Sequence, residues 1–269
     1  MNTLRTLQAV DPPCAGAAVH DGVGARARLE AVTAGKPLPR SGIDSQIELL
    51  AFVAHEMRSP LAPIRTAAAL LTRVGPADLA RAQAIIERQV EHLARMIDDL
   101  LDLARGETGR LALVRSDVHL VDVIDQALVA CLPALTVRHQ HVERCGDAHG
   151  IDLHADGARL VQIVTNLVDN ASKFSGDGAT VTLTARRRMG VVELAVADQG
   201  MGMDAATLFR AFEPFAQGSH AAGLNRSGLG IGLAVVRQLA ESHGGHVVAE
   251  SAGPGCGSRF VLTLPCIAR

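Results

Sequence analysis

From Ile43 onward, apolar residues recur in steps of four and three: Ile43, Ile47, Leu50, Ala54, Met57, Leu61, Ile64, Ala68 and Leu71. This heptad-like spacing predicts a long helix with one apolar seam. Gly75-Pro76 breaks it. Pro76 suits the first turn of a new helix, and Asp78 suits its positive end. A second seam of Ile86, Val90, Leu93, Ile97, Leu100 and Ala104 runs until Gly106 and Gly109 end the helix. Residues 42–106 therefore read as a helical hairpin. One hairpin leaves both stripes uncovered. Doubling it into a four-helix bundle covers them, so the pattern predicts a homodimer; packing on the chain's own downstream domain is the alternative.

The pattern differs on either side. Residues 1–41 are rich in Ala, Gly, Pro and Arg, lack sustained periodicity and read as a flexible tail. Residues 107–116 read as a linker. From 117 to 266 the texture is α+β. Helices are predicted over Leu120–Leu132, Asp156–Phe174, Ala205–Phe212 and Ile231–His243. Strands are predicted over Thr136–Val142, Thr180–Arg186, Val191–Ala197, Gly245–Glu250 and Ser258–Leu264. Helices with mainly antiparallel strands make a two-layer α+β sandwich.

Composition narrows the function. A net charge of −2 gives no electrostatic footprint for nucleic acid, and with no Trp or Tyr there are few platforms for stacked bases. Cys14, Cys131, Cys145, Cys256 and Cys266 are scattered without a CxxC pair and read as reduced thiols. No run reads as a transmembrane segment and residues 1–20 lack a signal-peptide core, so a cytoplasmic protein is expected.

Four clusters carry chemistry. In His55-Glu56 the carboxylate can hold one ring nitrogen as N–H and leave the other as a nucleophile, though a solvated helix face gives the same pair. Pro60 and Pro63 are expected to loosen the helix just beyond it. Asn166 and Asn170, four apart, and Lys173 share one helix face; two amide oxygens and a cation suit Mg²⁺ with a triphosphate, and a plain polar face is the alternative. Asp198-Gln199-Gly200-Met201-Gly202 follows a strand, where an Asp can accept adenine's exocyclic amine and the glycines allow close backbone approach; an ordinary Asp-Gly turn looks the same. Gly228-Leu229-Gly230-Ile231-Gly232-Leu233 opens a helix whose N–H groups attract phosphate.

In this order, and with Phe212-Glu213-Pro214-Phe215 between the last two, these motifs resemble the bacterial sensor histidine kinases of two-component systems over about residues 43 to 265. The resemblance implies an α-helical hairpin in a dimeric four-helix bundle, followed by an α+β two-layer sandwich of the Bergerat (GHKL) type. It implies that His55 is the phosphoacceptor and Glu56 the adjacent base. Asn170 would hold Mg²⁺ with help from Asn166, and Lys173 would meet the phosphates of ATP. Asp198, flanked by Gly200 and Gly202, would bind adenine. Residues 203–227 would form a lid anchored by Phe212 and Phe215, with Gly228, Leu229, Gly230 and Gly232 at its hinge and phosphate side. The implied partner is a response regulator receiver domain. A Bergerat-fold regulatory or scaffold protein without productive phosphotransfer is the alternative.

Two departures stand out. Ser59 occupies a position where family members often carry Thr or Asn, which leaves phosphatase activity open. No sensor domain is visible, so a separate sensor partner docking on residues 1–41 or on the hairpin is a possible input.

Overall fold

The computed structural model describes residues 42–71, 75–107, 111–146, 148–216 and 229–266. The expected tail 1–41 and residues 217–227 of the expected lid, with Gly228, lie outside the described residues, as does the His55 side chain. The chain divides into units Met1–Glu48 and Leu49–Arg269. Of the first, only the opening turns of a helix are described.

Two long helices come first, α1 (Gly42–Leu70) and α2 (Pro76–Glu107). Pro60 and Pro63 lie within α1, which runs on to Leu70 instead of loosening after His55. The heptad seams are used on one side only. Val53, Met57, Pro60, Ile64 and Ala67 of α1 turn inward, while Leu61 is 50% exposed. On α2 the inward residues include Ala82, Met96 and Leu103, whereas Val90 and Ile97 of the predicted seam are 52% and 43% exposed.

The remaining elements are β1 (Ser116–His119), α3 (Leu120–Val137), β2 (His141–Gly146), β3 (Asp152–Ala155), α4 (Gly157–Phe174), β4 (Thr180–Arg188), β5 (Val191–Asp198), α5 (Ala205–Arg210), α6 (Gly232–Ser242), β6 (His246–Glu250) and β7 (Ser258–Pro265). One sheet has the order β2-β4-β5-β7-β6, with β2 parallel to β4 and the other pairs antiparallel. Its register sets Leu183 opposite Val196 and Val196 opposite Phe260, so the central strands bury one apolar face. Helices α3, α4 and α6 form the second layer and close the core over that face.

Two expectations change here. The strand expected over Thr136–Val142 begins only at His141: α3 continues through Pro133 to Val137, and the chain then turns at His139, whose φ is 53°, before β2. The short pair β1–β3 was not expected, because only Val118 and Leu153 mark it with apolar residues. In addition, α3 is long and apolar enough by composition to cross a membrane. Its apolar stripe, from Leu120 through Ile124 and Cys131 to Leu135, is buried in the core beside α4, while Val129, Leu132 and Val137 are exposed.

Helix α4 is fixed at both ends. Asp156 caps its start, accepting the Arg159 N–H at 3.2 Å and the Val114 N–H at 2.9 Å. At its end the carbonyls have no helical partner; Arg138 donates to the Ser172 carbonyl at 2.6 Å and Gln140 at 3.0 Å. The Asp156 N–H donates to Nε2 of His243 at 3.1 Å, while Nδ1 of His243 lies 2.8 Å from the Leu239 carbonyl oxygen. Only the neutral ring protonated on Nδ1 makes both bonds.

Burial holds the His243 imidazole below its ordinary value of 6.5, with the nearby Arg115 adding to the effect. As pH falls, the unfolded chain takes up this proton first. The stabilisation is therefore full above about pH 6.5 and erodes below it. His243→Leu is expected to lower stability by about 1–3 kcal/mol at pH 7.5. The gap, read from denaturant midpoints, is expected to shrink at pH 5. A gap independent of pH would contradict the neutral-ring lock.

Candidate functional site

Helix α4 carries two opposed stripes. Leu160, Ile163, Val164, Leu167, Val168 and Ala171 are buried in the core. Arg159, Gln162, Asn166, Asn170 and Lys173 recur in steps of three and four on the other side. The last three open onto a cavity of about 480 Å³, within the range of sites for small molecules.

Asp198 ends β5 at the cavity wall. Its Oδ1 accepts the Gly200 N–H at 2.8 Å. Burial pushes its carboxyl above the usual range, against the pull of N–H groups from Gly200 and Ser258. A buried carboxylate with spare acceptor capacity suits a ligand N–H donor. The loop after it is wedged between α4 and the turn before β7. The Met201 N–H donates to the Phe174 carbonyl at 3.1 Å, and the Gly255 N–H to the Met201 carbonyl at 2.7 Å. Gly202 has φ 64°, and a Cβ there would strike the Gly253 carbonyl.

Leu229, Gly230 and Gly232 line the cavity where α6 begins. Asn166 donates weakly to the Gly232 carbonyl at 3.4 Å, which ties α4 to α6. The Phe215 N–H donates to the Gly230 carbonyl at 3.0 Å, with both residues at positive φ. Lys173 lies at the cavity, its Nζ 5.3 Å from the centroid of the Phe174 ring.

Of the expected site residues, Asn166, Asn170, Lys173, Asp198, Gly202, Leu229, Gly230 and Gly232 line this one space. Gly200, Phe212 and Phe215 stand behind the lining. Gly200 has no room for a side chain against the Phe174 carbonyl, and Phe212 meets Phe260 edge to face at 6.3 Å. Phe215 packs with Met96, Leu229 and Ile231. Glu56 stands on α1, close enough for its charge to act on His92.

Sequence reasoning missed His92, Met96 and Asp99 of α2, which form the wall opposite α4. Their spacing of four and three was the available signal, but the apolar seam beside it drew the reading to another face. Burial first, and then Arg95, lower the His92 imidazole. Asp169, also in the wall, is raised by burial, with Arg95 and His92 opposing. An acceptor wall at one end, with amides, a lysine and a helix start at the other, fits a ligand that carries a base and phosphates.

Comparison with known proteins agrees with that chemistry. Residues 45–109 match the model of the His Kinase A (phospho-acceptor) domain, and residues 155–267 that of the histidine kinase-, DNA gyrase B- and HSP90-like ATPase. The sensor protein DivL of Caulobacter vibrioides is 37% identical over 220 residues, which cover 79% of this chain and 27% of that protein. The signal transduction histidine-protein kinase/phosphatase MprB of Mycobacterium sp. (strain KMS) is 32% identical over 234 residues, 82% of this chain and 44% of that protein. Full-length ShkA in complex with AMPPNP aligns with TM-score 0.60 and 28% identity, over 82% of this chain and 46% of that one. A ThkA–TrrA complex, of a histidine kinase with a response regulator, shares the fold at TM-score 0.57 and 21% identity, covering 90% of this chain and 64% of that one. The chain spans about a quarter to under half of the curated relatives it matches.

Gly202→Ala is expected to lower stability by about 1–3 kcal/mol through backbone strain and to weaken binding of AMPPNP, because the loop against Asp198 must shift. Gly178, at φ 74° with open space around it, is the control. Equal AMPPNP affinity in the two alanine variants would remove the loop from the site.

Proposed function

Because the chain belongs to the sensor histidine kinase family, we propose that it phosphorylates its own His55 from ATP and passes the phosphoryl group to an aspartate on a response regulator. The cavity carries this reading: residues from three separate motifs converge on one space. ATP supplies the γ-phosphoryl group. Asp198 accepts a hydrogen bond from the adenine amine, and Lys173 and the start of α6 draw the phosphates. Asn170 and Asn166 offer neutral oxygens to Mg²⁺, which favours a few protein oxygens beside phosphate and water.

Two residues choose the acceptor. Glu56 is the base adjacent to His55, and a neutral imidazole offers one nitrogen with a free lone pair as nucleophile. Asn166 has an amide and no carboxylate, so it cannot act as base toward water. Delivery to a positioned imidazole then outruns hydrolysis, and catalysis reduces to placement and charge neutralisation.

The working form in this reading is a cytoplasmic homodimer. Leu61, Val90, Ile97 and Leu101 are exposed along the hairpin, and a second hairpin is the apolar surface that fits them. Input would reach the hairpin or residues 1–41 from a separate sensor partner.

With radiolabelled Mg-ATP, wild type is expected to gain label that is acid-labile and base-stable. His55→Gln should abolish the label while AMPPNP still binds. Acid-labile label persisting in that variant would move the phosphosite to another histidine. Light scattering of the intact chain at micromolar concentration should give a dimer mass, and a clean monomer would overturn the four-helix arrangement.

A further inference from the structure

The wall supplied by α2 is latched in place by polar contacts outside the cavity. The side chain of Asp102 is 3% exposed. Its Oδ2 takes Nη1 of Arg159 at 2.6 Å and Nε2 of Gln162 at 2.9 Å. Its carbonyl takes Nε2 of Gln238 at 3.2 Å. One turn beyond, Gly106 meets that same Gln238 amide where any side chain would stand. These contacts set Asp99, three residues before Asp102, at the edge of the cavity.

Asp99 stands where a phosphate would enter, in the cavity wall with Asn166. Its Oδ1 accepts from Gln162 at 2.9 Å. Asn166 is one of the two amides at the phosphate end of the site. Burial, with Asp102 close by, pushes the Asp99 carboxyl up to about 6 despite the Gln162 amide. Its charge is therefore held at a cost. A polyphosphate entering here would meet a like charge.

We propose that Asp99 is an intramolecular competitor for the nucleotide's polyphosphate: while α2 is latched, its carboxylate occupies the Asn166 end of the cavity, and polyphosphate binding works against the latch. The inference rests on the nucleotide reading of the cavity. It predicts discrimination by phosphate number. Adenosine, with no phosphate, should not sense Asp99; ADP should sense it less than a triphosphate. Arg159 lines no part of the cavity, so any effect it has on triphosphate affinity runs through the latch.

Calorimetry on the full chain with Mg-AMPPNP, Mg-ADP and adenosine tests this. Asp99→Asn should tighten AMPPNP binding about tenfold or more, the scale of removing one unfavourable contact with a charge. It should tighten ADP binding less and leave adenosine within about twofold. Arg159→Ala, which strips Asp102 of its cation, should reproduce the AMPPNP gain. Combining the two changes should add little, since both release the same contact. Unchanged or weaker AMPPNP binding in Asp99→Asn, with adenosine binding intact, would overturn the competitor role and recast Asp99 as a support of the phosphate end. Wild type binding none of the three ligands would overturn the nucleotide reading itself, and this inference with it.

Discussion

Helix α4 must satisfy two neighbours that want opposite things, and the rest of the fold is arranged around that conflict. Its apolar stripe needs the sheet, whereas its polar stripe needs donors and acceptors held at fixed heights. A sliding or turning helix would satisfy neither. The end contacts prevent both motions: Asp156 gathers the linker, the first turn of α4 and His243, while Arg138 and Gln140 hold the last turn. The asparagines and Lys173 are precise because they stand on a rigid element supported at both ends.

The same logic explains the buried ion pair on α2. Apolar contact of Met96 with Leu229 and Ile231 gives attraction without register. Shifting α2 by one turn, about 5.4 Å, would keep much of that contact. A carboxylate that is 3% exposed cannot shift, because leaving its guanidinium would strand a buried charge. Asp102 and Arg159 contribute little net stability by this reasoning. They select which turn of α2 faces which turn of α4.

Where one periodicity was strong, the sequence was legible. Pro76 starts α2 as expected, Asp156 caps α4, and the β4–β5 hairpin falls within two residues of its prediction at each end. The weak elements were those held by partners distant in sequence. β2, with the residues His-Val-Glu-Arg-Cys-Gly, has one partly buried position and exists because β4 runs parallel beside it. α3 passes its own proline because α4 covers its other face. The cavity followed the same division. Residues near glycines and paired asparagines could be named in advance, whereas His92, Met96 and Asp99 were hidden on a helix that has two useful faces. Periodicity detects the more apolar face and is silent about the other.

The distance along the chain between Asp102 and its partners has a consequence for biosynthesis. Arg159 and Gln238 lie 57 and 136 residues further on. At about 5–20 residues per second, the ribosome needs roughly 7–27 s after Asp102 to produce Gln238. For most of that interval Met96 and Leu100 have no Leu229 or Ile231 to cover them; Asp102 waits roughly 3–11 s for Arg159 and the whole interval for its carbonyl's donor. Until then the nascent hairpin is a helix pair without the partners that cover it in the finished chain. The latch therefore closes only once α6 has been made, long after both of the helices it aligns, and only β6 and β7 follow it.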